Sequence, residues 1–245
     1  MRRKKWLIKV ALVFLSFFYL AGNAMAIPTL NSKETDLKDF LGDGTFQNFL
    51  PEGVDSYWKH TNTQSYAVTL LAEAGLSGIT SFGIYSMADY TDTMQLFGPG
   101  VATGSNTAFA SPYNRFGFYL QIGDFDADGY RWYSDSALNT WFDGGNPVIY
   151  GQDHMLSYQG DGRNLGYGSN GQSIAWGAND YILAWEDLAI GYRSNFGGKA
   201  DRDYNDLLVM VQGITRVPEP AALLLLGIGL AGLAGFMRRR KIHKN

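Results

Sequence analysis

No long stretch of this chain keeps apolar residues at the 3.6-residue helical period; short apolar runs recur instead, bounded by Gly, Asn and Asp. They are YAVTLLA (66–72), TSFGIYSM (80–87), RFGFYLQIG (115–123), YRWYS (130–134), NPVIYG (146–151), HMLSYQ (154–159), DYILAWEDL (180–188) and YNDLLVMVQG (204–213). Runs of this length, rich in Tyr, Phe, Val and Ile, suit extended backbone, where aromatic and β-branched side chains pack on a pleated surface. Turn signals every ten residues or so predict an all-β fold, an antiparallel β-sandwich or jelly-roll-like arrangement, over a parallel sheet. ETDLKDFLGDGTFQNFL (34–50) is expected to give a short helix at most. The glycine-dense stretch GDGRNLGYGSNGQSIAWG (160–177) reads as a loop, mobile or ordered by a ligand.

The two ends have another character. MRRKKWLIKVALVFLSFFYLAGNAMA opens on basic residues, continues with an apolar run from Val10 to Leu20, and ends with Ala24 and Ala26 flanking Met25. That order predicts a secretory signal peptide cleaved after Ala26; the short apolar run and small-residue exit argue against an uncleaved anchor. At the other end, VPEPAALLLLGIGLAGLAGFMRRRK holds an uncharged run of 17 residues, 221–237, at the lower edge of what spans a bilayer. The arginines after it are expected to stay cytoplasmic, leaving the preceding body outside. Val217, Pro218, Glu219 and Pro220 form a stiff, non-helical junction where a processing enzyme can reach extended backbone.

This order of Val-Pro-Glu-Pro, short Gly-rich apolar helix and Arg-rich end resembles the PEP-CTERM sorting signal of exported bacterial proteins. The resemblance implies recognition by an exosortase, removal of the tail, and release or attachment at the cell surface of a polysaccharide-producing Gram-negative host. The chain accordingly divides into a signal peptide (1–26), an N-terminal extension (27–65), a β-sandwich domain (66–216) and a sorting signal with a single transmembrane helix (217–245). The signal is an address and carries no activity.

Between Ile27 and Arg216, 22 acidic residues stand against 10 basic ones. A body so acidic repels nucleic acid and attracts cations. The chain has no cysteine, which excludes a disulfide framework, thiolate metal ligands and a cysteine nucleophile.

The acidic residues are not evenly spread. Asp201, Asp203 and Asn205 supply oxygen ligands at alternate positions, followed by Asp206 and the apolar run 207–211. In extended chain, alternate residues share a face about 6 to 7 Å apart, so a turn brings them to one cation. Calcium, with 6 to 8 oxygen ligands, suits such a set. Upstream, Glu186 and Asp187 interrupt a strand too apolar to tolerate two carboxylates that are neither paired nor metal-bound. A short connection, 191–200, makes the two strands a hairpin that turns the acidic groups toward each other. Lys199 and Arg202 leave a second reading open, a salt-bridged and Asx-capped turn.

Glu-Asp on one strand, then Asp-x-Asp-Tyr-Asn-Asp opening the next, resembles the calcium-associated domain of unknown function 4114 of exported bacterial surface and matrix proteins. The positions are Glu186, Asp187, Asp201, Asp203, Tyr204, Asn205 and Asp206. FGIY (82–85), FGFYL (116–120), WYSDSALN (132–139) and DHMLSY (153–158) extend the likeness over most of 66–213. It implies a β-sandwich with bound calcium and no reaction.

DFDADGYRWYSD (124–135) is a second metal candidate: Asp124, Asp126 and Asp128 alternate, Gly129 follows, and Asp135 takes the twelfth place. The spacing is that of a calcium loop, but Asp135 replaces the longer Glu expected there and the flanks are strands. A weak calcium site and a solvated hairpin tip both remain open.

Catalysis has thin support, and no catalytic residue is assigned. Of the histidines in the body, His154 reads as a packed or hydrogen-bonded strand residue. Glu186 and Asp187 cannot be a facing glycosidase pair if adjacent strand residues point to opposite sides. Trp132, Tyr133, Trp141 and Trp176 are either core or, if exposed, platforms for sugar rings. The expected function is a non-enzymatic, calcium-stabilised surface or matrix protein that meets the membrane only through its tail. A lectin-like module for exopolysaccharide is the alternative, with a secreted glycan-active enzyme behind it.

Overall fold

The computed structural model describes residues 49–50, 55–72, 78–123, 130–143, 146–167, 172–188 and 204–217. Among them there is no α-helix, only a 3-10 turn at Ser136–Leu138 and strands that pair antiparallel. The fold is all-β, as the apolar runs predict. One six-stranded sheet has the order β1 (Phe49–Leu50), β11 (Met155–Gln159), β14 (Asp180–Trp185), β15 (Leu207–Gln212), β3 (Ser65–Ala72), β6 (Asn106–Phe109). The other runs β16 (Ile214–Arg216), β2 (Trp58–His60), β7 (Phe116–Ile122), β4 (Thr80–Ser86), β5 (Thr93–Phe97), with β8 (Tyr130–Tyr133) also on β7. Two further hairpins are β9 (Thr140–Asp143) with β10 (Asn146–Tyr150), and β12 (Arg163–Tyr167) with β13 (Gln172–Trp176).

The two large sheets share one interior. Leu183, Trp185, Val209 and Val211 of the first sheet join Trp58, Phe82, Phe118, Leu120 and Trp132 of the second in a single buried cluster. Because side chains alternate along a strand, the intervening residues Ile182, Ala184, Leu208 and Met210 face the other way. There they pack with Leu165 and Trp176 of the β12–β13 hairpin. Burial on both faces explains why YILAW and LLVMV are apolar without alternation.

On the outer face of the second sheet, Tyr57, Tyr85, Tyr119 and Tyr133 cluster with Val217. Two of these rings lie over glycines of neighbouring strands. A Cβ at Gly83 would stand 2.6 Å from the Tyr119 ring, and one at Gly117 would stand 2.2 Å from the Tyr85 ring. Glycine is there for close approach.

Three expectations change. The stretch 160–177 is not simply a loop: 163–167 and 172–176 pair as a hairpin, Arg163 opposite Trp176, that roofs the first sheet. Its glycines misled because they serve close packing; a Cβ at Gly160 would strike the carbonyl oxygen of Gly177. The folded body begins before residue 66, since β2 lies between β16 and β7 and Trp58 is fully buried. Phe49–Leu50, the end of the segment read as a short helix, is a strand on β11; its earlier part lies outside the described residues. So do the signal peptide with Ala24 and Ala26, and the apolar run 221–237. Among the described residues no helix is long and apolar enough to cross a membrane.

Candidate metal centre

The site grows from the end of the β14–β15 pair. β14 and β15 are adjacent, register running from Asp180 opposite Gln212 to Trp185 opposite Leu207, so the residues after Trp185 and before Leu207 meet. Glu186 and Asp187 lie just past the strand end rather than within it. The alternation that would send them to opposite faces therefore does not apply. One carboxylate oxygen from each of Glu186, Asp187 and Asp206 lies within 4.8 Å of the other two. Glu186 is 1% exposed and Asp187 6%, while Asp206 is half-buried.

The backbone is held on several sides. Glu186 N–H donates to the His154 carbonyl (3.0 Å), and His154 Nδ1 donates to the Glu186 carbonyl (3.1 Å). The Asp187 N–H donates to Asp206 Oδ2 (2.8 Å), joining the two halves of the cluster directly. From the opposite sheet, Trp132 Nε1 donates to the Asp187 carbonyl (2.9 Å). The Trp132 and His154 rings stack, centroids 3.7 Å apart and planes 6° from parallel. Complete burial lowers the His154 pKa to about 3 against a smaller opposing effect of the Glu186 carbonyl. The imidazole is thus neutral at physiological pH, and its bond to a carbonyl places the proton on Nδ1.

On the β15 side, Tyr204 has φ 53°, a left-handed conformation costing a non-glycine residue roughly 1 to 2 kcal/mol. Its hydroxyl donates to the Asp153 carbonyl (3.0 Å), which helps hold the turn. Asn205 is buried in that turn, 3% exposed, next to Asp206.

Of the residues read as ligands, Glu186, Asp187 and Asp206 come together, and Asn205 adjoins them in the chain. Asp201 and Asp203 lie outside the described residues, as do Lys199, Arg202, Asp124, Asp126 and Asp128. Asp135 follows strand β8 (130–133), and the 124–129 part of its stretch lies outside the described residues. Asp135 caps the 3-10 turn, accepting from Ala137 N–H (3.1 Å) and from the Tyr57 hydroxyl (2.6 Å). Trp132, Tyr133 and Trp176, considered as sugar platforms, are buried at 0%, 5% and 0% exposure. What the sequence did not reveal is the role of Trp132 and His154 in holding 186–187. Only their neighbourhood in WYSDSALN and DHMLSY hinted at it.

Three carboxylates this close repel strongly. At 4.8 Å and an effective dielectric near 20, each ionised pair costs about 3.5 kcal/mol. Such a cluster requires neutralisation by protons, by cationic side chains or by a metal ion. Three carboxylates that each bring an oxygen to one place are hard ligands of the kind a divalent cation takes.

A family model described as the PEP-CTERM protein-sorting motif matches residues 216–241. The match implies export, a C-terminal anchor processed by an exosortase, and a surface or extracellular location for the body. Comparison with curated proteins found no match.

Proposed function

We propose that the chain is an exosortase-processed surface or matrix protein whose body is a jelly-roll-like β-sandwich stabilised by calcium and without catalytic activity. The observation that carries the metal is the convergence of Glu186, Asp187 and Asp206 at a buried junction braced from both sheets. The resemblance of 186–187 and 201–206 to the calcium-associated domain of unknown function 4114 supports it, with Asp201, Asp203 and Asn205 as further ligands. The ion offsets the mutual repulsion of the carboxylates and ties the end of β14 to the start of β15. The role is that of a staple, in a chain that has no disulfide to serve as one.

Thermal melting of the exported protein tests this. At a calcium concentration about a hundredfold above Kd, stabilisation is about 2.7 kcal/mol, equivalent to roughly 5 to 10 °C in Tm. Glu186→Gln keeps the shape and removes one charge. Without calcium it is expected to melt at or above wild type, because repulsion falls; with calcium it is expected to melt below wild type. A wild-type Tm indifferent to calcium and to chelator would refute the metal reading and leave the cluster neutralised by protons or by Lys199 and Arg202.

A further inference from the structure

The sorting motif does not begin after the fold ends. The matched segment starts at residue 216, and Arg216 is the last residue of β16, opposite Trp58 of β2. Val217, first residue of the Val-Pro-Glu-Pro junction, donates its N–H to the Tyr57 carbonyl (2.8 Å) and is 7% exposed within the tyrosine cluster. Ile214, at the head of the same strand, is fully buried in the central core. The uncharged run begins at Ala221, so three residues separate a buried valine from a membrane-length segment. Three residues reach at most about 10 Å. A body of some 160 residues has a radius of gyration near 15 Å. With Val217 docked, such a body cannot stand clear of the bilayer surface, and an enzyme gripping several extended residues there meets the fold first.

From this geometry we infer that the fold and the exosortase compete for the same stretch, and that the enzyme engages the motif only while β16 is unpaired from β2. The inference rests on the exosortase processing that the motif implies. β16 suits the role: it has three residues and lies at the edge of its sheet, so it can part from β2 while the remaining strands stay paired. Folding is thereby coupled to sorting, since a body whose last strand has docked retains its tail longer than one still closing.

A disulfide lock tests it. Lys59 and Thr215 are cross-strand partners on β2 and β16, neither buried, and directly opposed antiparallel residues fall within disulfide range. The chain has no cysteine to compete. Full-length precursor is accumulated in cells with exosortase production switched off, disulfide formation is checked by thiol labelling, and the enzyme is then induced. Tail removal is followed by gel mobility. Lys59→Cys and Thr215→Cys singly are expected to process at the wild-type rate, and the oxidised double variant at least tenfold more slowly. A fifteen-residue Gly/Ser spacer between Val217 and Pro218 is expected to restore the locked chain. Wild-type rates in the oxidised double variant, or no rescue by the spacer, would overturn the inference. No tail removal in wild type would overturn the processing reading and the inference with it.

Discussion

Trp132 belongs to one sheet but holds the backbone of the other. Its ring is fully buried against His154 and its Nε1 reaches the Asp187 carbonyl, so one side chain spans the core to the candidate ion site. Trp132→Phe keeps an aromatic ring but loses the hydrogen bond and leaves a gap, and about 2 to 4 kcal/mol of stability is expected to go with them. Urea unfolding measures that loss, and calcium titration of the same variant should show weaker binding, because residues 186–187 lose a support. Tyr85 gives a prediction in pH. Burial, then the neighbouring Tyr57, raises its pKa well above the ordinary value of 10. A raised pKa means that the native state keeps a proton which the unfolded chain loses above pH 10. The contribution of Tyr85 is therefore full below pH 10 and lost as pH rises. Tyr85→Phe is expected to decline less steeply above pH 10, by about 1.4 kcal/mol per pH unit, when denaturant midpoints are compared at pH 9, 10 and 11.

The β12–β13 hairpin shows what an element adds and why it was hard to foresee. Leu165 and Trp176 close the outer side of the first sheet, and Gly160 and Gly177 let the chain cross at the hairpin base. Gly160→Ala drives a methyl group into the Gly177 carbonyl and is expected to lift the hairpin, measured as increased tryptophan fluorescence quenching and faster amide exchange in β14 and β15. Strand runs of five or more apolar residues were legible because their period and bounding residues are local. The β14–β15 hairpin and its meeting of Glu186, Asp187 and Asp206 were legible for the same reason, with the acidic pairs at facing ends. Short strands were not: β2 and β6 contain Lys59 and Asn106 and earn their place from partners far away in sequence, while β5, with Gln95, pairs with the neighbouring β4 but lacks an apolar run. Spacing alone did not reveal the partners of Asp135, whose oxygens accept from a cap N–H and from a tyrosine on a distant segment.

At the scale of the whole molecule, the closing steps of the fold fall at its C-terminal end. β15 lies inside the first sheet, between β14 and β3, so that sheet is incomplete until residue 212 is in place. One residue later the chain turns at Gly213, φ 75°, and β16 completes the edge of the second sheet on β2. Both sheets therefore wait for strands that run up to and into the sorting motif, and pairings between segments so far apart in sequence form late. The four residues after Gly213 matter beyond their number. Burying Ile214 and Val217 contributes about 1.5 to 3 kcal/mol each. A body ending at Gly213 should consequently melt roughly 6 to 24 °C below one ending at Val217, at about 2 to 4 °C per kcal/mol for a domain of this size. Scanning calorimetry of the two lengths makes the comparison. Equal melting temperatures would mean that β16 is dispensable to the fold, and the strand would then be no obstacle to the enzyme that reads the tail.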